Sequence, residues 1–194
     1  MEWICVYCGA SEGQREVYRT AAEQFGRTLV DRDLGLVYGG GDVGLMGAIA
    51  DAVLDAGGEA YGVIPETLVD REQAHDGLTE LDIVGSMHDR KARMVELADG
   101  FVALPGGYGT LEELLEVLTW AQLGFHRDPC GLLDVDNYYA GLAAFFDHQV
   151  EEGFVSRSHR DMLVVADDGA TLLDAFERYE PPAIRQVVSD VEEM

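Results

Sequence analysis

The amino-acid sequence predicts an α/β fold in which a parallel sheet is covered by helices on both faces. Short apolar runs bounded by turn residues alternate with longer segments of helical spacing, a pattern typical of parallel strands joined by crossover helices. Three glycine-rich or small-residue stretches each lie between a predicted strand and the following helix. The chain of 194 residues is long enough to bury its own core, so we expect a single domain.

The predicted elements alternate along most of the chain. Apolar runs predict strands at 3–8, 34–38, 59–64, 81–84, 100–104, 130–135 and 162–166. Helical spacing predicts helices at 14–32, 44–57, 86–98, 110–123, 137–152 and 169–178. We assign residues 1–178 to the domain and 179–194 to an acidic tail, which opens with Pro181-Pro182 and is expected to be extended.

The charge balance excludes one class of function and suggests an environment. Acidic residues outnumber basic ones by 37 to 13, giving a net charge of −24, so we expect no nucleic-acid partner, because such binding needs a basic surface. A dispersed acidic surface with a single lysine suits high salt, and a halophilic source is a hypothesis. No apolar run approaches the roughly 18 residues of a membrane helix, and the N-terminus does not read as a signal peptide. We therefore expect no membrane association and a cytoplasmic location.

Two of the cysteines form a C-x-x-C pattern, Cys5 and Cys8. Redox and metal motifs with this spacing usually bring both sulfur atoms together at a turn or a helix start. Here the pattern lies on a predicted strand, whose side chains alternate, so the two thiols should face opposite sides. We expect both to pack in the core.

The glycine-rich stretches are candidate anion-binding loops. They are CGASEG at 8–13, YGGGDVGLMG at 38–47 and LPGGYGT at 104–110. Glycines after a strand allow backbone N–H groups to turn toward an anion at the start of the next helix, although tight turns and close helix–strand packing would also require them. Gly39, Gly41 and Gly44 fit the dinucleotide pattern G-x-G-x-x-G, but the next strand does not end in the acidic residue that binds the ribose. A compact phosphorylated ligand is therefore favoured.

The stretch MHDRKARM contains Lys91, the only lysine of the chain. At about 100° per residue, Arg90 and Lys91 fall within the apolar arc of the predicted helix, which is formed by Met87, Met94, Val95, Leu97 and Ala98. Two cations directed inward need anionic partners. Either internal salt bridges satisfy them, or they clamp a phosphate, the arginine with bidentate geometry and the lysine as a point charge.

The next predicted helix begins with Thr110, and Glu113 follows at capping-box spacing. A position at the helix N-terminus should lower the pKa of a carboxyl group, so we expect Glu113 and its neighbour Glu112 to be ionised at neutral pH. A carboxylate beside a bound sugar phosphate could also stabilise the oxocarbenium-like transition state of glycosidic cleavage. The capping function and the catalytic function both remain open at this point.

These residues give the chain a resemblance to a known family. PGGYGTLEE at 105–113 matches the pattern P-G-G-x-G-T-x-x-E, and MHDRKARM and VYGGGDVGLMG match an R-K helix and a second glycine loop. The sequence thus resembles the Lonely Guy family, cytokinin-activating phosphoribohydrolases that are often labelled lysine decarboxylases, from about residue 4 to about residue 177. The resemblance implies a Rossmann-like, doubly wound fold, a homodimer, and hydrolysis of a nucleoside 5′-monophosphate to free base and ribose 5-phosphate, without a metal or an organic cofactor.

The resemblance also implies roles for individual residues. Arg90 and Glu113 correspond to the catalytic pair. Glu72 corresponds to a substrate contact in a P-R-E segment, which in this chain begins with Asp70 instead of proline. Thr119 is a further candidate contact, although residues 118–126 could equally be a packing or dimer surface. The remaining candidate substrate contacts are Ser11 and Gly41, by position, and Lys91, Gly106, Gly107, Tyr108, Gly109, Thr110, Leu111 and Glu112, by the motif.

Two other functions compete with the hydrolase. A non-catalytic carrier of a nucleotide or of the molybdenum cofactor could use the same fold, and it would retain its ligand without turnover. A pyridoxal-phosphate-dependent lysine decarboxylase would need a Schiff-base lysine, for which Lys91 is the only candidate. The sequence alone does not identify the base or the apolar wall that would recognise it.

Overall fold

The computed structural model describes residues 1–182 and contains one seven-stranded sheet. Every strand pair in it is parallel, and each strand lies within two residues of its predicted limits. The strands are β1 (Trp3–Tyr7), β2 (Gly35–Tyr38), β3 (Ala60–Pro65), β4 (Glu80–Val84), β5 (Gly100–Ala103), β6 (Cys130–Leu133) and β7 (Leu163–Ala166). The predicted parallel α/β sheet is therefore confirmed.

The strand order places a switch point at the centre of the sheet. The order is β4-β3-β2-β1-β5-β6-β7, so the chain winds outward from β1 in one direction and then from β5 in the other. Ile4 is paired with Leu36 of β2 on one side and with Gly100 of β5 on the other. In such sheets ligands bind in the crevice beyond the carboxyl ends of the two strands that flank this point.

Helices cover both faces of the sheet, as predicted. They are α1 (Glu16–Asp31), α2 (Gly44–Asp55), α3 (Val69–Glu72), α4 (Met87–Leu97), α5 (Tyr108–Leu123), α6 (Ala140–Glu151), α7 (Arg157–Arg160) and α8 (Gly169–Glu177). Helices α1, α2 and α8 pack against one face through Phe25, Ile49 and Leu172. Helices α4, α5 and α6 pack against the other, where Met94 and Val117 are buried. The protein is a doubly wound single domain.

The cysteines are free and lie in the core, as the strand pattern predicted. Cys5 belongs to the apolar cluster on one face of the sheet and Cys8 to the cluster on the other. Burial raises the pKa of both thiols and of Cys130. The thiols are therefore protonated at neutral pH, which is typical of structural cysteines.

Several details of the helices differ from the prediction. The short helices α3 and α7 were not expected from the sequence, because elements of one turn give little periodicity. Helix α6 begins at Ala140 rather than at residue 137, since a short 3₁₀ segment with left-handed backbone at Asp136 and Asn137 precedes it. Most of the predicted tail, residues 183–194, lies outside the described residues. Within residues 1–182, no helix has both the length and the apolar character that a bilayer crossing requires.

Candidate active site

The three glycine-rich loops meet beyond the carboxyl ends of β1, β2 and β5. The N–H of Gly9 donates to the carbonyl of Pro105 (3.1 Å), and the N–H of Leu45 donates to the carbonyl of Gly9 (3.0 Å). Gly44 has a φ of +59°, and a Cβ atom there would collide with the backbone of Ala10 and Ser11. Close backbone packing is thus one reason for the glycines, and it joins the loops into one rim.

A cavity of about 430 Å³ lies inside this rim. Its walls come from all three loops, from the segment that leads into α3, and from α4 and α5. The lining residues are Cys8, Gly9, Ala10, Ser11, Met46, Leu68, Glu72, Met87, Arg90, Gly107, Gly109, Thr110 and Glu113. A neighbouring recess of about 220 Å³ shares Ser11 and Gly107 with it. The cavity has the size of a small-ligand site.

Arg90 is the cation of this cavity and is 5% exposed. Its Nη2 atom donates to the carbonyl of Gly39 (3.0 Å) and to Oε2 of Glu72 (3.3 Å). A Cβ atom on Gly39 would collide with this guanidinium, so the glycine makes room for the arginine. The buried Nε atom of Arg90 has no hydrogen-bond partner among the described protein atoms, so the hydrogen-bonding capacity of this guanidinium is not fully used within the described residues.

Glu72 is held in place through its backbone rather than by its own helix alone. The N–H of Asp42 bonds to the carbonyls of Glu72 (3.0 Å) and Gln73 (2.7 Å), and Gly41 forms an antiparallel bridge with Ala74. A Cβ atom on Gly41 would lie 2.9 Å from the Glu72 carbonyl. Gly41 therefore admits the Glu72 segment, and it is not among the cavity-lining residues.

Glu113 is the second carboxyl group of the cavity, and its ionisation differs from the expectation. Burial raises the pKa of Glu113 to about 7, the guanidinium of Arg90 opposes the rise, and Glu112 and Glu72 add to it. The expected effect of the helix N-terminus is thus outweighed by desolvation. Near neutral pH, Glu113 is divided between its protonated and ionised forms instead of being fully ionised.

The predicted capping box is wrong, and its failure explains the position of Glu113. Helix α5 begins at Tyr108 with Gly107 as its N-cap, and no side chain caps it. Thr110 is a buried helical residue packed against Gly106. Glu113 therefore lies in the second turn of α5 and is partly buried, where a carboxyl group is desolvated rather than stabilised by free N–H groups.

The first turn of α5 is an open anion-binding position. Its first internal hydrogen bond runs from the N–H of Leu111 to the carbonyl of Gly107 (3.2 Å), so the N–H groups of residues 108–110 have no partner within the helix. Gly107 and Gly109 line the cavity, and a Cβ atom on either would meet no other heavy atom within 4 Å. Such a helix start favours a phosphate group.

Lys91 is buried, as the helical pattern predicted, but it does not line the cavity. Its Nζ atom donates to Oε1 of Glu112 (2.6 Å) and to Glu116 (3.0 Å). Burial acts to lower the pKa of Lys91, and these two hydrogen bonds outweigh that effect and raise it. The internal salt bridge, and not the phosphate clamp, describes this lysine.

The structure brings together only part of the predicted site. Ser11, Glu72, Arg90, Gly107, Gly109, Thr110 and Glu113 line the cavity, and Gly106 lines the adjoining recess. Tyr108 is 95% exposed, and Leu111 packs against the core. Glu112 is bound to Lys91, and Thr119 bonds to the carbonyl of Leu115 (2.6 Å) away from the cavity. Six lining residues were not among the predicted site residues, namely Cys8, Gly9, Ala10, Met46, Leu68 and Met87. The loop positions of the first four and the helical phase of Met87 with Arg90 could have indicated them.

One further group has ligand atoms close enough for a metal ion, namely Asp42, Asp51 and His75. The N–H of Gly77 donates to Nδ1 of His75 (3.0 Å), while Nε2 lies 3.1 Å from Oδ1 of Asp51. Since Nδ1 accepts, the proton of the neutral ring is on Nε2, which then donates to the carboxylate. This tautomer favours a hydrogen-bonded link between α2 and residues 75–77 over metal coordination.

Comparisons with known proteins give consistent results. Residues 46–176 match the model of a family described as "possible lysine decarboxylase". The probable cytokinin riboside 5′-monophosphate phosphoribohydrolase LOGL9 of Oryza sativa subsp. japonica is 53% identical over 92% of this chain and 78% of its own length. The cytokinin riboside 5′-monophosphate phosphoribohydrolase LOG7 of Arabidopsis thaliana is also 53% identical, over 92% of this chain and 82% of its own length.

Among solved structures, similarity extends to more distant proteins. The molybdenum cofactor carrier protein of Chlamydomonas reinhardtii aligns with a TM-score of 0.69 at 21% identity, covering 91% of this chain and 96% of the other. The molybdenum cofactor binding protein of Rippkaea orientalis aligns with a TM-score of 0.69 at 20% identity and the same coverage. At this level of identity the similarity shows a shared fold.

Proposed function

Because the chain belongs to the Lonely Guy family of phosphoribohydrolases, we propose that it hydrolyses the N-glycosidic bond of a purine nucleoside 5′-monophosphate. The products are the free base and ribose 5-phosphate. The substrates we propose are cytokinin riboside monophosphate and AMP. Water is the only co-reactant, and the reaction needs no metal or organic cofactor.

One observation carries this proposal: Arg90 and Glu113 line the same cavity as the open N-terminus of α5. A nucleotide carries an anionic end, a glycosidic carbon that develops positive charge on cleavage, and a base. The helix start suits the phosphate, and a carboxylate one helical turn further along α5 suits the oxocarbenium-like carbon. The cavity thus offers a matching group for the phosphate and for the glycosidic carbon.

Glu113 acts as the general base in this proposal. Its carboxylate form accepts a proton from the attacking water, whose oxygen bonds to the anomeric carbon, while the nucleobase leaves with the electrons of the broken C–N bond. The proton held by Glu113 then passes to the departing nucleobase, which returns Glu113 to its carboxylate form. Arg90 opposes the rise in the pKa of Glu113 and so increases the ionised fraction near neutral pH. The carboxylate of Glu72 accepts a hydrogen bond from the guanidinium of Arg90 (3.3 Å) and helps to hold it in place.

Incubation with AMP and with isopentenyladenosine monophosphate, followed by chromatography of the free base and of ribose 5-phosphate, tests the proposal. The wild-type protein is expected to release the free nucleobase and ribose 5-phosphate in equimolar amounts. The Glu113→Gln variant should bind the nucleotide and release almost none. A folded wild-type protein that releases no base from either nucleotide would contradict the proposal.

The same assay separates the two competing functions. A carrier protein would retain its ligand through purification and release no base. A pyridoxal-phosphate-dependent decarboxylase would require an uncharged Lys91, yet the hydrogen bonds to Glu112 and Glu116 raise the pKa of this amine, and it does not line the cavity. No observation in the structure favours either alternative.

We also propose a cytoplasmic homodimer with a salt-adapted surface. The resemblance supports the dimer, and exposed apolar side chains such as Leu115, Leu123 and Phe125 on and after α5 offer a contact surface for a second copy. The net charge of −24 supports the adaptation to salt. Light scattering of the purified protein tests the dimer, and melting curves in molar salt and in dilute buffer test the adaptation, which equal stabilities would contradict.

A further inference from the structure

Two adjacent tyrosines are hydrogen-bonded to the loop that leads into α5, and neither takes part in the chemistry proposed above. The hydroxyl group of Tyr138 donates to the carbonyl of Gly106 (2.5 Å). The hydroxyl group of Tyr139 donates to the carbonyl of Leu104 (2.6 Å). These bonds join residues 32 and 35 positions apart in the chain. The segment after β6 is therefore attached to the loop that supplies the proposed phosphate position.

The two tyrosines differ in burial and in surroundings. Tyr139 is 2% exposed and belongs to an apolar cluster of the core, and its N–H donates to Oδ1 of Asp134 (2.6 Å). Tyr138 is 43% exposed and lines the recess beside the cavity, but not the cavity itself. Its ring meets those of Tyr139 and Tyr18 edge to face, with 4.8 and 5.5 Å between the ring centroids. These ring contacts do not depend on the hydroxyl group of Tyr138.

The two hydroxyl groups also act on different kinds of peptide. In a trans peptide the C=O and the following N–H point in opposite directions, so a bond to the carbonyl of Gly106 fixes the direction of the N–H of Gly107. No such N–H follows Leu104, because residue 105 is proline. Of the two tyrosines, only Tyr138 therefore orients a hydrogen-bond donor.

The N–H of Gly107 is available to a ligand. Gly107 lines the cavity, and in the part of the chain that the structure describes its N–H donates to no backbone carbonyl. The peptide before it lies between two glycines, whose backbones rotate more freely than those of other residues. A Cβ atom on Gly107 would meet no other heavy atom within 4 Å. Packing at Gly107 therefore does not restrain this peptide, and the hydroxyl group of Tyr138 supplies a restraint.

The backbone directly before the tyrosines has an unusual conformation. Asp136 and Asn137 have left-handed φ angles of +54° and +61°, which cost free energy in residues other than glycine. The side chain of Asp136 forms an ion pair with Arg15, and the N–H of Tyr138 donates to the carbonyl of Val135 (3.1 Å). Strained backbone persists where surrounding contacts determine it and is common at functional sites. Here it leads into the two residues that bond to the loop.

We propose that Tyr138 is a positioning residue for nucleotide binding: its hydroxyl group fixes the Gly106–Gly107 peptide so that the N–H of Gly107 donates to the 5′-phosphate. This inference rests on the proposed function, which puts the phosphate at the start of α5. Tyr138 does not donate to the phosphate itself, because its hydroxyl group has one proton, which Gly106 receives. A donor that is already oriented in the free protein binds an anion more tightly than one that binding must first order.

The test measures Kd by calorimetry for AMP, ribose 5-phosphate and adenosine, in a Glu113→Gln background that does not consume the nucleotide. Tyr138→Phe removes the hydroxyl group and keeps the ring. Kd should rise about fivefold for both phosphorylated ligands, on the order of one neutral hydrogen bond, and stay unchanged for adenosine. Without the Glu113 substitution, Tyr138→Phe should raise KM for AMP by a similar factor and leave kcat largely unchanged.

Tyr139→Phe is the matched control, because it removes a neighbouring hydroxyl group from the same loop but from a peptide without an N–H. It should lower the melting temperature, since the buried carbonyl of Leu104 loses its donor. It should leave the ratio of the Kd values for adenosine and AMP unchanged. Tyr138→Phe should melt close to the wild type, because the bond that it removes is exposed.

An unchanged Kd for AMP in Tyr138→Phe overturns the inference, as does an equal rise in the Kd for adenosine. An equal change of the Kd ratio in Tyr139→Phe also overturns it, because the two hydroxyl groups would then act only by stiffening the loop. A failure of the proposed function is distinct from these results. If the wild type releases no base while Tyr138→Phe loses affinity for the two phosphorylated ligands alone, the positioning role is supported and the hydrolysis is contradicted. A protein that binds none of the three ligands contradicts both.

Discussion

Two pairs of charged residues on α4 and α5 differ in environment although they are neighbours in the sequence. Arg90 and Glu113 line the cavity. Lys91 is bound by Glu112 and Glu116 outside it. A step of one residue turns a helix by about 100°, which is enough to move one pair from a ligand site into an internal salt bridge.

The pair at Lys91 is a structural ion pair, whereas the pair of Arg90 and Glu113 is a candidate reactive pair. The charge of Lys91 is compensated by two carboxylates of the protein, and the raised pKa of Lys91 keeps it protonated. The compensation in the cavity is incomplete, because Glu113 has a pKa raised to about 7 by burial and the Nε atom of Arg90 has no partner among the described atoms. Incompletely compensated groups beside a cavity are candidates for chemistry.

The largest expected effect is on turnover when the reactive carboxyl group is removed. Glu113→Gln should reduce kcat for base release by about 10²–10⁴-fold, the usual contribution of a general acid or base. Glu112→Gln, on the adjacent position, should reduce it far less, because that side chain is half-exposed and bound to Lys91. Similar losses of kcat in the two variants would contradict the distinction between a reactive and a structural pair.

The second effect concerns stability and has the opposite sign to the loss of activity. The pKa of Glu113 is about 7 in the folded protein against 4.5 for the free group, so the unfolded chain releases this proton first as pH rises. The contribution of Glu113 to stability therefore falls between about pH 4.5 and pH 7, by up to ~3 kcal/mol. Glu113→Gln cannot ionise and avoids this loss.

Denaturant unfolding of both proteins at pH 4.5 and at pH 8 measures this difference. The glutamine variant should gain stability relative to the wild type at pH 8 and little at pH 4.5. A variant that is less stable than the wild type at pH 8 would show that the carboxyl group has a structural function.

The third effect distinguishes arginine from lysine at the cavity. Arg90→Lys keeps the charge but loses the planar set of donors that reaches Gly39 and Glu72. We expect kcat/KM to fall about 10- to 100-fold, as for the loss of a hydrogen bond to a charged group. The matched variant Lys91→Arg keeps a cation between its two carboxylates and should retain more of the wild-type value. A greater loss of kcat/KM in Lys91→Arg than in Arg90→Lys would indicate that Lys91, rather than Arg90, is the functional cation.

The smallest effect is expected from removal of the structural cation. Lys91→Met leaves Glu112 and Glu116 without their shared partner, and both carboxylates retain access to solvent. The free energy of unfolding should fall by about 1 kcal/mol, measured by urea titration. Absorbance near 420 nm after addition of pyridoxal phosphate to the wild type, absent in this variant, would revive the decarboxylase hypothesis.

The sequence predicted the fold well because the two periodicities that define it are local. Apolar runs of strand length identify the sheet, and the helical pattern of residues 86–98 correctly placed both Arg90 and Lys91 in the interior. Glycines after β1, β2 and β5 indicated where the ligand loops meet, since carboxyl ends of parallel strands lie at one edge of a sheet.

The ionisation state and the partners of these charged residues could not be predicted from the helical pattern. The ionisation of Glu113 depends on the start of α5, which was predicted at Thr110 and lies at Tyr108. That shift moves Glu113 from the first turn into the second and changes its pKa in the opposite direction to the one expected. Likewise, the partners of Lys91 belong to the facing helix, and a single helical wheel contains no information about its neighbour.

The contact between Arg90 and Gly39 joins residues 51 positions apart in the chain. A fragment that starts at Met46, where the family match begins, would retain the arginine and Glu113. It would lose β1, β2 and the loop backbone that shapes their surroundings. Such a fragment would therefore be inert. Because β1 and β2 lie between β3 and β5 in the sheet, their detachment would also divide the core, so heat inactivation and loss of the helical circular dichroism signal should occur in one transition.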